Sequence, residues 1–402
     1  MRHIPITESE PFQHPPSSKY ELAKWYERRG YLTEALESYK DAALSVSCNA
    51  DAGTPWEEAE LSWLEYGAVS IRMRSYDAAE EAYRTVLQHA GSYAQEALQR
   101  WAELLYMLGN KDHVIYSRLL LEIKQYSSRS LSVGLALYHI GSYTLAAHCF
   151  AREDRLGQTA HIQHVSCLII NKRLQPALEL IDQYTADAYA TDSDWSQELL
   201  LPLHRMRQLC KWRLYGTAPD AATSHDEAIA LAEAAVSLGM LQEAEELLAD
   251  RGEEAAYALI CILYLEGYRS LAVSKMDMLE EIPLQGSGPH GIKLCLLISE
   301  HLYDQQKYTE AAQVLDQIRQ IHPELTAARF GEAACHLQSA MLSLSNRLSS
   351  HYRIAPTREV LEQYMAKIST ALHIVESTNW HTTWSPAQKR NEIVSSHSSY
   401  LN

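Results

Sequence analysis

The sequence predicts an all-α protein, a solenoid of antiparallel helix-turn-helix repeats closed by capping helices toward its C-terminus. Glycine and proline are sparse, 16 and 13 in 402 residues, and they concentrate between segments of helical length, as at Gly53 to Pro55 and Gly286 to Gly291. Between these breaks apolar residues recur at helical spacing, and little of the chain alternates with the two-residue period of a half-buried strand. One template also repeats along the chain: a small residue, a large one three later, a short polar turn, an alanine, and a large apolar residue four beyond it.

The first copy is Leu22 to Ala42, with Ala23, Tyr26, Gly30 at the turn, Ala35 and Tyr39. The second supplies Trp63, Gly67, Tyr76, Ala79, Tyr83 and Val86. Weaker copies follow: Ala102, Gly109 and Val114; Gly134, Gly141, Ala146 and Phe150; Val165, Leu174, Ala177 and Ile181. A degenerate pair that includes Gln197 to Tyr215 fills the gap before Ala232, Gly239, Ala244 and Leu248. Then come Leu263, Gly267, Ala272 and Met276, and last Leu302, Tyr308, Ala311, Leu315, Ile318 and Pro323. Two helices approach closely where facing positions are small, which predicts Gly67 opposite Ala79 and Gly134 opposite Ala146.

These residues resemble the tetratricopeptide repeat family, whose units are about 34 residues long with a W-x2-L-G-x2-Y, A-x3-F, P pattern. The resemblance covers most of Lys19 to Pro323 and implies a right-handed superhelix. The expected organisation is a flexible segment over 1–18, clear repeats over 19–192, and degenerate and C-terminal repeats over 193–323. Capping helices at Thr326 to Leu348 and Thr357 to Glu376, joined by a loop through Pro356, belong to a region 324–384, and a flexible polar tail follows over 385–402.

Composition narrows the function. A chain of 402 residues with 47% hydrophobic content can bury a large apolar area, and it exceeds the size at which one compact core keeps growing. The net charge of -16, from 35 basic and 51 acidic residues, opposes general attraction to nucleic acid. The start has no secretory or transit pattern, and the longest apolar run, Ala255 to Leu265, is far short of a membrane span. A cytoplasmic protein without membrane insertion is expected. The 7 cysteines form no C-x-x-C pair and suit reduced, buried thiols.

Catalytic signatures are missing from the sequence: there is no H-E-x-x-H, no G-x-S-x-G and no phosphate-binding glycine loop. No cofactor is expected. His161, His164 and Cys167 are spaced by three, with His148 and Cys149 nearby, but the drift around a helix makes a shared tetrahedral site awkward. No metal site is expected.

The resemblance implies that the first helix of each hairpin lines a groove for a protein or peptide. The groove candidates are Tyr20, Lys24, Leu64, Gln99, Tyr106, Leu131, Tyr138, Tyr257, Tyr264 and Tyr303. Tyr106, Tyr138, Tyr264 and Tyr303 share one offset and would form a tyrosine stripe, although tyrosine can equally serve as the packing residue among 24 tyrosines and 3 phenylalanines. A grip on a peptide carboxylate, used by some family members, is disfavoured because Glu65 and Ala68 stand where asparagines would be needed. A basic patch at Arg205, Arg207, Lys211 and Arg213 beside Trp212 either attracts an acidic partner or pairs with Glu243, Glu245 and Glu246.

The function expected is that of a non-catalytic scaffold or adaptor. The alternatives are a peptide-responsive regulatory sensor and an accessory subunit of an enzyme system such as a glycosyltransferase. Exposed solenoid ends can associate into a homo-oligomer, which capping helices would oppose.

Overall fold

The computed structural model of the chain describes residues 18–47, 56–153, 156–190, 197–219, 224–279, 288–350, 355–376, 378 and 380–398. All but Ser18 of the expected flexible start over 1–18, the break at Gly53 to Pro55, Cys48 and the last four residues lie outside them. The described residues form helices, turns and bends without a strand. The chain divides into two compact units, Met1–Leu104 and Leu105–Asn402, and each is treated by itself.

In the first unit, α1 (Lys19–Arg28) packs on α2 (Leu32–Ser47), α2 on α3 (Trp56–Arg72), and α3 on α4 (Tyr76–His89). Ala23, Ala35, Tyr39 and Val69 make one core. The Tyr39 hydroxyl donates to Glu27 Oε2 at 2.7 Å, so its burial leaves no orphaned polar atom. Helix α5 (Ala94–Met107) contains the division between the units.

The second unit contains α6 (Asp112–Glu122), the pairs α7 (Arg129–His139) with α8 (Tyr143–Phe150) and α9 (Gln158–Ile170) with α10 (Leu174–Ala190), and then α11 (Gln197–Tyr215). It continues with α12 (His225–Ser237) and α13 (Leu241–Leu248), α14 (Glu253–Leu265) and α15 (Arg269–Met276), and α16 (Pro289–Asp304) and α17 (Tyr308–Ile321). Helices α18 (Thr326–Ser350), α19 (Ala355–Glu376) and α20 (Pro386–Ser398) complete it. First helices touch one another: α7 on α9, α9 on α11, α12 on α14, α14 on α16, α16 on α18.

One backbone device builds the hairpins. Gly30, Arg74, Gly109, Gly141, Lys172, Gly239, Gly267 and Gln306 all lie in the left-handed region, with φ between 60° and 86°. Each stands two residues after its helix ends. At the first turn, Gly30 N donates to Glu27 O and Tyr31 N to Tyr26 O, and the same pair of bonds closes each of the other turns, as at Gly267 with Tyr264 and Tyr268 with Leu263. This is the Schellman closure, which satisfies the last carbonyls of a helix and turns the chain back. Glycine takes it without strain; an L residue there costs roughly 1–2 kcal/mol.

The template follows from that turn. Ala35, Ala79, Ala146, Ala177, Ala244, Ala272 and Ala311 stand five residues after the left-handed position and are all 0% exposed. Four further on, Tyr39, Tyr83, Phe150, Ile181, Leu248, Met276 and Leu315 are buried. The third turn differs. Asn110 and Lys111 insert one residue, so α6 starts late, Val114 is 36% exposed, and Ile115, at 0%, takes the anchor position expected of Val114. Leu119 then fills the next position, also at 0%.

Three further expectations are corrected. A Cβ on Gly67 would lie 2.5 Å from the ring of Tyr83, and one on Gly134 3.0 Å from Phe150, so the nearest neighbour these glycines admit is the aromatic of the second helix, four residues beyond the expected alanine. The gap after Ile181 holds, among the described residues, one long helix, α11, and not a pair. Pro356 lies in the first turn of α19, where a missing N–H does no harm, and not in a loop.

Residues 386–398, expected within a flexible tail, form α20. Ser385 and Gln388 cap it reciprocally: Gln388 N donates to Ser385 Oγ at 3.3 Å and Ser385 N to Gln388 Oε1 at 2.8 Å. Pro386 occupies the first helical position, where φ near −65° suits it. The helix packs on α7 and α15.

Candidate segment-binding surface

In the first unit the groove candidates are largely engaged. Tyr20 packs on Tyr39 with centroids 5.8 Å apart, and the Lys24 ammonium lies 4.8 Å from the Tyr20 ring. Leu64 is fully buried and unavailable to a partner, a correction of its assignment to a groove. Gln99 is half-buried. Arg100 binds Glu96 at 2.6 Å and Glu65 at 3.6 Å.

In the second unit the tyrosine stripe meets the chain's own C-terminal segment. Tyr264 is 0% and Tyr303 9% exposed, so neither is open to a partner as expected. The Trp384 ring lies 5.4 Å from that of Tyr264, and Trp380 stands edge-on to Tyr303 at 5.0 Å. The Arg390 guanidinium stacks on Tyr106 at 4.6 Å. Tyr138 remains half-buried against Tyr143 at 5.5 Å, and burial pushes its hydroxyl pKa up to about 12. Leu131 and Tyr257 are half-buried and outside this contact.

The seating is a ladder of side-chain donors on the end of one helix. At the end of α14 the turn's own amides reach Leu263 O and Tyr264 O, and the segment adds side-chain donors to Tyr264 and the two residues after it. Tyr264 O accepts from Trp384 Nε1 at 3.1 Å, Leu265 O from Gln388 Nε2 at 2.9 Å, and Glu266 O from Asn391 Nδ2 at 2.9 Å. Gly267 lets the two backbones meet: with φ +86°, a Cβ there would stand 2.2 Å from the Gln388 carbonyl oxygen. Glu392 covers the start of α15, accepting from Ser270 Oγ at 2.6 Å and Ser270 N at 3.1 Å, where the helix dipole favours a carboxylate.

Electrostatics fix both ends of the segment. Arg390 Nη2 and Nη1 reach Asp112 Oδ1 and Oδ2 at 2.7 and 3.1 Å, and Ser142 Oγ donates to Asp112 at 2.7 Å. The bond from Arg390 holds the Asp112 carboxyl below its usual range. At the other end, His381 Nε2 lies 3.0 Å from Asp304 Oδ1, and Thr382 N donates to Glu300 Oε2 at 2.9 Å. The Asp304 bond raises the His381 pKa above the ordinary 6.5.

Glu300, Asp304 and His381 are the one metal-competent grouping among the described residues. The Arg269 guanidinium already pairs with Asp304, and Tyr264 donates to Glu300, so these groups act as the segment's lock. His164 is buried against Phe150 with its pKa pushed to about 4 by burial, and His161 lies on the Tyr184 ring at 3.9 Å.

The basic residues of α11 are mostly paired. Arg205 binds Glu227 through two bonds of 3.0 and 2.9 Å, Arg207 binds Asp182 at 2.8 Å, and Arg213 binds the buried Glu243. Lys211 is half-buried beside them. Arg205, Arg207 and Arg213 thus pair with carboxylates of the same unit, Arg213 with Glu243 as the second of the two readings has it.

Fold and site together define an all-helical protein of neighbouring helix pairs that carries its own C-terminal segment on the first-helix ends of its second unit. Comparison with protein-family models returns no match, and comparison with curated proteins returns no relative. No helix among the described residues is long and apolar enough to cross a membrane.

Proposed function

We propose that the chain is a tetratricopeptide-like solenoid and a non-catalytic protein- or peptide-binding scaffold. The shared turn device, followed at fixed offsets by a buried alanine and a large buried residue, supports the repeat. The observation that carries the binding role is the end of α14, where three successive carbonyls accept side-chain donors from a segment more than a hundred residues away. A surface that holds one segment by main-chain acceptors and an aromatic shelf has the chemistry to hold another. Covering of that surface in the resting chain favours the sensor reading over a permanently open adaptor.

The test is affinity capture from the cell that makes the protein, followed by affinity measurement for the partner recovered. The full-length Tyr106→Ala variant, in the second unit, and the Lys24→Glu variant, in the first, each checked for folding by circular dichroism, test the two units separately, and at least one should weaken that partner about tenfold. Unchanged affinity for both would remove the first-helix face from the account.

A further inference from the structure

The C-terminal segment is held in two unlike ways. Trp380 is 9% exposed, and a Cβ on Gly331 would lie 2.8 Å from its ring, so this indole is an embedded anchor. Beyond Trp384 the contacts are hydrogen bonds, to main-chain carbonyls and between Glu392 and Ser270, and the Arg390 guanidinium paired with Asp112 and stacked on Tyr106. Each such bond is worth only about 0.5–1.5 kcal/mol net, because water replaces it when the segment leaves. Asp112 is 38% exposed in its side chain and keeps the Ser142 hydroxyl, so it does not become a buried orphan charge. The acceptors are also indifferent to which chain supplies the donors.

We propose that the end of α14, with Tyr106 and Asp112, is a docking surface for a partner peptide that carries an indole and, six positions on, a guanidinium, and that Trp384 to Arg390 occupy it in cis until such a peptide displaces them. The indole sits on Tyr264 and donates to its carbonyl; the guanidinium stacks on Tyr106 and takes the two oxygens of Asp112. The tether gives the resident segment an effective concentration near millimolar, so the partner must outbid it or arrive when it is weakened. The inference rests on the peptide-binding reading and names the partner chemistry and regulation of that site.

The experiment uses full-length chains and a fluorescein-labelled peptide with the sequence of residues 384–398. The Trp384→Ala/Arg390→Ala chain should bind it about tenfold or more tightly than wild type, as measured by anisotropy. Adding Asp112→Asn to the chain, or Arg390→Ala to the peptide, should abolish that gain. A folded double variant that binds no better than wild type overturns the inference. If the double variant does not fold, millimolar peptide added to wild type should accelerate amide exchange at Lys389 to Glu392; no acceleration overturns it equally. Concentration-dependent dimerisation of the wild-type chain through the same segment would make a second copy the occupant and overturn the partner peptide. A captured partner that responds to Lys24→Glu and not to Asp112→Asn would keep the scaffold reading while sinking this one.

Discussion

Arg390 and Asp112 stand 278 positions apart in the chain and meet in a two-point ion pair, with contacts of 2.7 and 3.1 Å. The pair ties the last described helix to the first helix that lies wholly in the second unit.

Asp112→Asn should loosen the segment without unfolding the unit. Both side chains are partly exposed, at 25% and 38%, so solvent screening limits the loss to about 1 kcal/mol. Amides of Lys389 to Glu392 should exchange about fivefold faster, while α14 is unchanged. Because the folded pKa of Asp112 is depressed, its contribution is present above the ordinary 3.8 and fades as pH falls through the lower folded value.

His381 gives a limb of opposite sign. Its pKa is raised above 6.5 by the bond to Asp304, with Glu300 adding charge, against the opposing effect of burial. The stabilisation is therefore fully present below 6.5 and is lost as pH rises through the folded value. His301, lowered by burial and then by Arg269, and His164, pushed to about 4, weaken the fold as pH falls below 6.5. Melting temperature should peak near that pH, and His381→Gln should flatten the alkaline limb alone.

Two turn glycines separate backbone strain from docking. Gly109 has φ +77° with nothing within 4 Å of a new Cβ, whereas Gly267 has φ +86° with the Gln388 backbone in the way. Gly109→Ala should cost about 1 kcal/mol and leave α20 protected. Gly267→Ala should cost at least as much and also release α20, read as exchange of its amides in the folded chain.

The displaced anchor of the third hairpin is tested by a neighbouring pair. Ile115→Ala should lose about 2–5 kcal/mol and Val114→Ala less than about 0.5 kcal/mol, as measured by urea denaturation. The reverse order would return the anchor to Val114.

The hairpins were legible because turn, alanine and large residue recur at fixed offsets, and Gly30, Gly141, Gly239 and Gly267 advertise the left-handed position. Arg74, Lys172 and Gln306 adopt it with ordinary side chains, so those turns carried no glycine signal. One inserted residue after Gly109 sufficed to misplace the anchor, since spacing was the only guide. The tyrosine stripe could be read as a shared offset, but its cover could not: α20 is polar, and contact across 278 positions leaves no local pattern. Its one local signal was the S-P-A-Q start from Ser385 to Gln388, a capping box with proline at the first helical position.

The central claim is that residues 384–392 lie docked on the end of α14. Amide hydrogen exchange of the wild-type full-length chain tests it most directly. Protection at Lys389 to Glu392 well above random-coil rates, yet below that of α14, is the predicted result; exchange of these amides at random-coil rates would contradict it.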